Sequence, residues 1–311
     1  MIKVAQRTLV CIPPTPLVGI VLPPDDFPVW CKLEFLNTSG STKDRIARFI
    51  LGKAYRKGIL RTDSVVVEAS SGSTSIAMAM ACAQLGLRFL AVMPEGVSNE
   101  RVLIIRAYGG QVQFTSKQGG VAESIRTAEQ LAAEHGYFLP RQFSNSDNAD
   151  AHRVGTAREI LEQIPGGEVG IVASGVGTGG TLVGLYEGFA ENGCSCVPVC
   201  ARPVNMVHSM EVECCSFSSR IPGVVDSMST IFCPTRLPGL RTLEIDDEVA
   251  ICTTRELIRR GFPVGPSSGL NFEAARRAKR ELGDSVGPVV TVFPDRMERY
   301  FTTELFTPFQ T

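Results

Sequence analysis

The sequence shows no marked excess of charge of either sign. Its 311 residues include 31 Lys and Arg against 32 Asp and Glu, for a formal net charge of −1. A near-neutral chain offers no electrostatic attraction for nucleic acid or for an acidic membrane surface. We therefore expect a protein that binds neither.

Long hydrophobic runs and targeting signals are also lacking. No apolar stretch approaches the roughly 20 residues that a membrane-spanning helix needs. Residues 1–24 are interrupted by five prolines and lack the pattern of a signal peptide. These features predict a cytoplasmic protein with no membrane segment.

The sequence also lacks pairs of cysteines with the spacing of a zinc site. Five of the ten cysteines lie close together, but none of them forms a C-x-x-C pair. These five are Cys194, Cys196, Cys200, Cys214 and Cys215. Residues 196–201 alternate like a strand, in which cysteine acts as a small hydrophobic residue. Buried reduced thiols are favoured over metal binding or redox sensing, and no metal site is predicted.

The chain does contain an alternation of strand-like and helix-like segments. The predicted strands span residues 64–68, 89–93, 170–173 and 289–293. The predicted helices span residues 44–57, 74–85, 99–108, 121–135, 181–191 and 270–282. This alternation favours an α/β architecture with largely parallel sheets. Because no hinge-like linker divides the chain, two domains would have to interleave, with a crossing predicted in the polar segment 140–150.

A glycine-rich segment, 174–181, is predicted between a strand and a helix, where open parallel sheets bind ligands. Its sequence is SGVGTGGT, and its glycines let backbone N–H groups approach an anion. Thr178 and Thr181 add hydroxyl donors, and the start of the following helix carries about half a positive charge. The segment is a candidate phosphate cradle, with a purely structural tight turn as the alternative.

Two further segments rich in serine and glycine are placed in the same way, each after a predicted strand and before a predicted helix. Residues 68–75, EASSGSTS, present hydroxyls and backbone N–H groups that suit a carboxylate. Residues 266–269, PSSG, present a hydroxyl that could meet a ring nitrogen. A plain helix N-cap is the alternative for both.

Lys43, within residues 37–45 of sequence NTSGSTKDR, offers an amine at the mouth of a predicted helix. Alone it is most simply a solvated lysine. An amine combined with a phosphate cradle is what pyridoxal phosphate requires, because its aldehyde forms an imine and its phosphate needs an anchor.

Together these segments resemble the cysteine synthase family of pyridoxal-phosphate enzymes from end to end. Residues 37–45 are similar to its N-x-x-x-S-x-K-D-R signature and residues 177–181 to its G-T-G-G-T phosphate loop. The other similar segments are TPLV at 15–18, SSGST at 70–74 for T-S-G-N-T, QFSN at 142–145 and PDRMERY at 294–300. Six matches in order are far more specific than any one of them.

The resemblance implies an α/β fold of type II, like the β-subunit of tryptophan synthase, with two interleaved domains. Each domain would have a mostly parallel central sheet flanked by helices. Residues 1–43 and 148–311 would form a larger, cofactor-anchoring domain, and residues 44–147 a smaller domain that closes on the substrate. The resemblance also implies a homodimer that acts on a small amino acid.

The resemblance further assigns site residues. Lys43 would hold the cofactor as a Schiff base and then remove the Cα proton. The other implied cofactor-binding residues are Ser73, Gly177, Thr178, Gly179, Gly180, Thr181 and Ser267. The implied substrate-binding residues are Ser70, Ser71, Gly72, Thr74, Gln142 and Asp226.

The implied reaction is β-replacement on an activated serine such as O-acetylserine, through an aminoacrylate intermediate. A neutral Ser267 opposite the ring nitrogen suits β-elimination and replacement better than transamination. Two positions depart from the family: Ser73 replaces an asparagine, which resembles desulfhydrase-like members, and Asp226 lies where the family has a G-I-G segment. The alternatives are therefore a desulfhydrase or β-lyase that releases sulfide or a thiol, and an inactive regulatory protein that binds the cofactor.

Overall fold

The computed structural model describes residues 8–70, 72–204, 220–224 and 229–309 of the chain. The chain divides into two compact units. The larger unit comprises Pro14–Thr42 and Ser146–Thr311, and the smaller unit comprises Met1–Pro13 and Lys43–Asn145. The chain therefore changes unit immediately before Lys43 and again after Asn145.

Two sheets organise the described residues. Their strands are β1 Leu17–Ile20, β2 Val29–Lys32, β3 Val65–Ala69, β4 Arg88–Pro94, β5 Gln111–Thr115, β6 Ile171–Gly175, β7 Val197–Val204, β8 Arg241–Asp246 and β9 Val289–Val292. The order is β1-β2-β9-β6-β7-β8 in the larger unit and β3-β4-β5 in the smaller unit. Only the β1–β2 pair is antiparallel among the described strands. The four predicted strands are confirmed as β3, β4, β6 and β9.

The helices flank these sheets. They are α1 Lys43–Arg56, α2 Ser73–Leu85, α3 Asn99–Ala107, α4 Gly120–His135, α5 Asp147–Ala151, α6 Ala157–Gln163, α7 Gly180–Glu191, α8 Asp247–Arg259 and α9 Pro266–Leu282. The six predicted helices are confirmed as α1, α2, α3, α4, α7 and α9. Helix α9 begins four residues earlier than predicted because Pro266 starts it, and the fixed φ of proline suits the first helical position.

Alternate residues of β6 face two hydrophobic cores of the larger unit. Ile171 and Ala173 pack in one core with Phe272 of α9. Val172 packs in the other with Leu185 of α7. A sheet covered by helices on both faces explains why β6 begins with three successive apolar residues rather than alternating apolar and polar ones.

The smaller unit is built in the same way. Val66 of β3 packs with Ile50 of α1 and Ile76 of α2 on one face of its sheet. Val67 packs with Ala128 of α4 on the other. This arrangement directs the carboxyl end of β3 into the turn that opens α2.

The cysteines in the described part of the chain are all free thiols. Cys31 and Cys82 are buried, whereas Cys194, Cys196 and Cys200 are only half-buried. Cys214 and Cys215 lie outside the described residues. The strand predicted around residues 196–201 is confirmed as β7. None of the helices among the described residues has the length and apolar character needed to cross a membrane.

Candidate active site

The segment predicted as a phosphate cradle lies in the turn between β6 and α7. Gly179 has φ +79°, in the left-handed region that favours glycine. A Cβ on Gly177 would lie 2.3 Å from the carbonyl oxygen of Gly223, and one on Gly180 would lie 2.0 Å from Asn148 Oδ1. Close packing therefore requires glycine here. The backbone N–H groups that begin α7, together with the helix dipole, are suited to binding an anion.

The hydroxyls of this cradle are held by residues that the sequence analysis missed. Asn148 Nδ2 donates to Thr178 Oγ1 at 2.9 Å. His152 is fully buried, and its Nε2 lies 3.3 Å from Thr181 Oγ1. His152 begins a π-helical turn, His152–Thr156, between α5 and α6. The spacing of four residues between Asn148 and His152, on one helical face, is the only signal that could have indicated this role.

Ser267 lies in the first turn of α9. The helix is capped by Gly265, so Ser267 is not its N-cap, and the N-cap alternative is wrong for this residue. The expectation that this segment follows a strand is also wrong, because α8 precedes it. Ser267 is half-buried, and the adjacent Ser268 is fully buried, its Oγ bonded to none of the described residues.

The segment that leads into Lys43 is anchored by the chain after β9. Arg299 donates from Nη2 to the carbonyl oxygen of Ser39 and from Nη1 to that of Gly40, both at 2.6 Å. The N–H of Thr42 donates to the carbonyl oxygen of Pro294 at 2.8 Å. Lys43 follows Thr42 directly, is half-buried and begins α1.

A buried network of polar side chains also holds Asn37, the first residue of the segment that leads into Lys43. Lys32 Nζ pairs with Glu159 Oε2 at 2.8 Å and donates to the carbonyl oxygen of Thr15 at 2.5 Å. Glu34 accepts from Thr15 Oγ1 at 2.7 Å and from Asn37 Nδ2 at 2.9 Å. Through Glu34 the network links the TPLV segment to Asn37, which begins the segment before Lys43.

These parts of the larger unit meet at one edge of its sheet. Residues 33–42, 176–179 and 293–299 follow the carboxyl ends of the parallel strands β2, β6 and β9. The start of α9 lies at the same edge, because the N–H of Gly265 donates to the carbonyl oxygen of Asp295. This edge is where open parallel sheets bind ligands.

The smaller unit brings together the predicted carboxylate-binding residues. Thr74 Oγ1 donates to Gln142 Oε1 at 2.6 Å, although 68 residues separate the two. Gln142 Nε2 donates to the carbonyl oxygen of Ala69 at 2.6 Å. Ser70 is buried. Gly72 is the N-cap of α2, so no side chain caps the start of this helix.

Ser73, the residue that departs from the family, is the first residue of α2 and is half-buried. Two other predicted substrate-binding residues, Ser71 and Asp226, lie outside the described residues.

Two charged residues lie beside this loop, and neither was given a role from the sequence. Glu68 is buried at the end of β3, and burial raises its pKa to about 7. The guanidinium of Arg101 in α3 lies over the loop, since a Cβ on Gly72 would be 3.5 Å from Arg101 Nε. Nothing in the spacing of the sequence indicates either position.

Comparison with known proteins identifies the family. Residues 10–295 match the family model described as pyridoxal-phosphate dependent enzyme. The chain belongs to this family. The α/β type II fold and pyridoxal phosphate as the cofactor are therefore confirmed.

This pyridoxal-phosphate dependent enzyme is similar to several named members of the family. It is 36% identical over 322 residues to a probable cysteine synthase of Bacillus subtilis (strain 168), with 99% of each chain covered. It is similar to the O-acetylserine dependent cystathionine β-synthase of Helicobacter pylori, with a TM-score of 0.84, 27% identity and coverage of 98% and 100%. A hydrogen sulfide-producing enzyme of Fusobacterium nucleatum has a TM-score of 0.80, 32% identity and coverage of 90% and 84%.

The residues present fit the cofactor. The turn before α7 offers main-chain N–H groups and two hydroxyls to a phosphate, packed so tightly that side chains on Gly177 and Gly180 are excluded. The first turn of α9 offers neutral serine hydroxyls rather than a carboxylate.

Proposed function

We propose that this protein is a cysteine synthase-like transferase, which replaces the β-substituent of an activated serine such as O-acetylserine with sulfide or another nucleophile. One observation carries the proposal: the anion cradle, the serines of α9 and the anchored segment before Lys43 share the carboxyl edge of one sheet. Its 36% identity over the full length to a probable cysteine synthase supports the same reaction.

The proposed cofactor contacts follow from this edge. Bound pyridoxal phosphate supplies an aldehyde for amines and a ring that withdraws electrons from the substrate Cα. Gly177, Thr178, Gly179, Gly180 and Thr181 hold its phosphate through N–H groups and hydroxyls. Ser267 would face the ring nitrogen, and Ser73 would contribute its hydroxyl to the phenolic oxygen. A hydroxyl does not keep a proton on the ring nitrogen as a carboxylate would, which favours β-elimination and replacement.

Lys43 is the proposed catalytic residue. Its amine would hold the cofactor, and as a free amine it would be the base that removes the proton from the substrate Cα as the leaving group departs from Cβ. The amino end of a helix disfavours a positive charge, and Lys43 is the first residue of α1. A neutral amine, which a base must have, is therefore favoured there.

The substrate carboxylate is assigned to the smaller unit. Ser70, Ser71, Gly72, Thr74 and Gln142 receive it through main-chain N–H groups, hydroxyls and an amide. The hydroxyl of Thr74 donates to Gln142 Oε1 in the structure, and rotation about its Cβ–Oγ1 bond is enough to direct the same hydroxyl to a substrate. We assign the anchoring of the cofactor to residues 1–43 and 148–311, and closure on the substrate to residues 44–147. Asp226 is assigned as a substrate-binding residue. The proposed setting is a cytoplasmic homodimer.

A second candidate function is the release of sulfide or a thiol from cysteine or an S-substituted cysteine. It is favoured by Ser73, which replaces an asparagine of the family, and by the 32% identity to a hydrogen sulfide-producing enzyme. The third alternative, an inactive regulatory protein, is disfavoured by the presence of Lys43 and the complete glycine cradle.

The decisive experiment compares two assays of the purified holoenzyme. With O-acetylserine and sulfide we expect rapid cysteine formation, and with cysteine alone we expect slow sulfide release. Lys43→Ala should abolish both activities and the visible absorbance of bound cofactor. Lys57→Ala, which changes the exposed residue after α1, is the matched control and should alter neither. Faster sulfide release than cysteine formation would establish the second function, and a protein that binds no cofactor would contradict both.

A further inference from the structure

A buried carboxylate lies directly beneath the loop that is proposed to bind the substrate carboxylate. Glu68 is the fourth residue of β3 and is only 2% exposed. Its Oε1 accepts a hydrogen bond from the N–H of Ala69 at 2.9 Å, and its Oε2 accepts one from the N–H of Gln142 at 3.1 Å. Glu68 thus joins the end of β3 to a residue 74 positions further along the chain.

The backbone at Arg141 is shaped around this carboxylate. Arg141 has φ +58° and is the only non-glycine residue with positive φ in the described part of the chain. The N–H of Gln142 donates to Glu68 Oε2, and the N–H of the preceding Arg141 faces the same carboxylate. Successive N–H groups that converge in this way form a concave anion site, here occupied by a side chain of the protein itself.

Glu68 thereby holds the main chain of Gln142 in place. The side chain of Gln142 spans the ends of two elements, since it donates to the carbonyl oxygen of Ala69 in β3 and accepts from Thr74 in α2, both at 2.6 Å. Ala69 is shared, because its N–H bonds to Glu68 and its carbonyl oxygen bonds to Gln142. These four residues form one closed set of hydrogen bonds, and we call it the Glu68 clamp.

We propose that Glu68 is a positioning residue for substrate recognition: through the Glu68 clamp it sets the orientation in which Gln142 and Thr74 meet the carboxylate of the amino-acid substrate. The proposal rests on the proposed function. Glu68 itself does not touch the substrate. A displaced Gln142 changes the direction of its amide and removes the acceptor that orients the hydroxyl of Thr74.

The test is a comparison of two ligands that differ only at the carboxyl group. L-Alanine has no β leaving group, so it reports binding alone, and L-alaninamide lacks the carboxylate. Both are titrated into the holoenzyme and followed by the visible absorbance of the bound cofactor. In Glu68→Gln the amide nitrogen faces main-chain N–H groups, so at least one hydrogen bond is lost. We expect about tenfold weaker binding of L-alanine and less than about twofold change for L-alaninamide.

Two further variants separate positioning from a general loss of structure. Ser124→Ala removes another buried hydrogen bond of the smaller unit, the 2.7 Å contact with Thr115 Oγ1, and should leave L-alanine binding unchanged. In a Gln142→Ala background, Glu68→Gln should add no further loss, because it acts through Gln142. Equal weakening of both ligands, no weakening, or full additivity with Gln142→Ala would each overturn the proposal.

The outcome also distinguishes this proposal from the function on which it rests. If the wild-type holoenzyme neither responds to L-alanine nor makes cysteine, the proposed function fails. If the wild type does both and Glu68→Gln binds L-alanine normally, only the role of Glu68 fails. Should Glu68→Gln not fold, Glu68→Asp serves instead, since it keeps the charge but is one methylene too short to reach both N–H groups. It should show the same selective weakening.

Discussion

Asn271 and Gly175 are joined by a hydrogen bond of 2.6 Å, from the main-chain N–H of Gly175 to Asn271 Oδ1. Asn271 Nδ2 donates in turn to the carbonyl oxygen of Val292 at 2.8 Å. One side chain of α9 therefore satisfies a main-chain hydrogen-bonding group in the last residue of β6 and another in the last residue of β9. The glycine cradle follows β6, and the segment that contains Arg299 follows β9. The cradle and the serines of α9 are tied together by this amide.

Replacing Asn271 should therefore loosen the cofactor as well as the fold. Asn271→Leu keeps a similar volume but leaves one buried N–H and one buried carbonyl group unsatisfied, at about 2–4 kcal/mol in total. We expect a lower urea midpoint and faster loss of pyridoxal phosphate on gel filtration. Asn192→Ala removes an amide at the exposed end of α7 and should affect neither. Normal cofactor retention in a folded Asn271→Leu protein would contradict this account.

Arg299 should control the segment that precedes Lys43. Its two Nη atoms bind the adjacent carbonyl oxygens of Ser39 and Gly40, a geometry that lysine cannot reproduce with one nitrogen. In Arg299→Lys we expect kcat to fall by about ten- to a hundredfold, because small misplacements of a catalytic group have effects of this size. Cofactor content should stay close to one per chain. Arg260→Ala, which removes an exposed ion pair of α8, provides the comparison. Unchanged kcat in Arg299→Lys would show that the anchor is not needed.

The features that could be predicted from the sequence are those that depend on local pattern. Strands β3 and β6 each begin with three successive apolar residues, and β9 consists of four β-branched residues. The cradle is indicated by the glycines that a close-packed turn requires. Strand β5, Gln111–Thr115, escaped prediction because it is an edge strand whose exposed residues include two glutamines. Strands β1 and β2 are as short as β9, but β1 is interrupted by Gly19 and β2 ends in Lys32, so neither shows the unbroken run of β-branched residues that marks β9.

The supporting residues could not be predicted, because their partners are distant in sequence. Asn271 lies 96 residues from Gly175, and Glu68 lies 74 residues from Gln142. A single asparagine or glutamate in a helix or strand carries no signal of such a contact. The residues with assigned chemistry, by contrast, belong to short motifs in which several residues are constrained together.

Glu68 should make stability depend on pH in a defined direction. Its pKa rises from an ordinary value of 4.5 to about 7, chiefly because burial disfavours the charged form. For an acid whose pKa is raised on folding, the folded state binds the proton more tightly than the unfolded state. The stabilisation from this protonation is complete below pH 4.5 and is lost as the pH rises through 7.

The loss is about 3 kcal/mol of the free energy of unfolding, which follows from the difference between the ordinary pKa and the pKa of about 7 in the folded protein. Urea unfolding of the wild type and of Glu68→Gln between pH 4.5 and pH 8 measures it. The wild type should lose stability relative to Glu68→Gln as the pH rises, with most of the change below pH 7. A difference between the two proteins that stays constant over this range would show that Glu68 does not titrate there.

Ser73 should decide how the reaction is divided between replacement and sulfide release. Serine has one hydroxyl where the asparagine of the family has a longer amide with two donors. Ser73 is the first residue of α2 and belongs to the loop assigned to the substrate and cofactor, so Ser73→Asn would change the donors available to the phenolic oxygen under the proposed function. We expect Ser73→Asn to shift the visible absorbance band of the bound cofactor and to raise the ratio of cysteine formation to sulfide release.

Ser75→Ala, two residues on, removes a hydroxyl that donates to the carbonyl oxygen of Ser70, and it should leave that ratio unchanged. If Ser73→Asn leaves both the spectrum and the ratio as in the wild type, the choice between the two reactions is made elsewhere in the chain, and Asp226 becomes the next residue to replace.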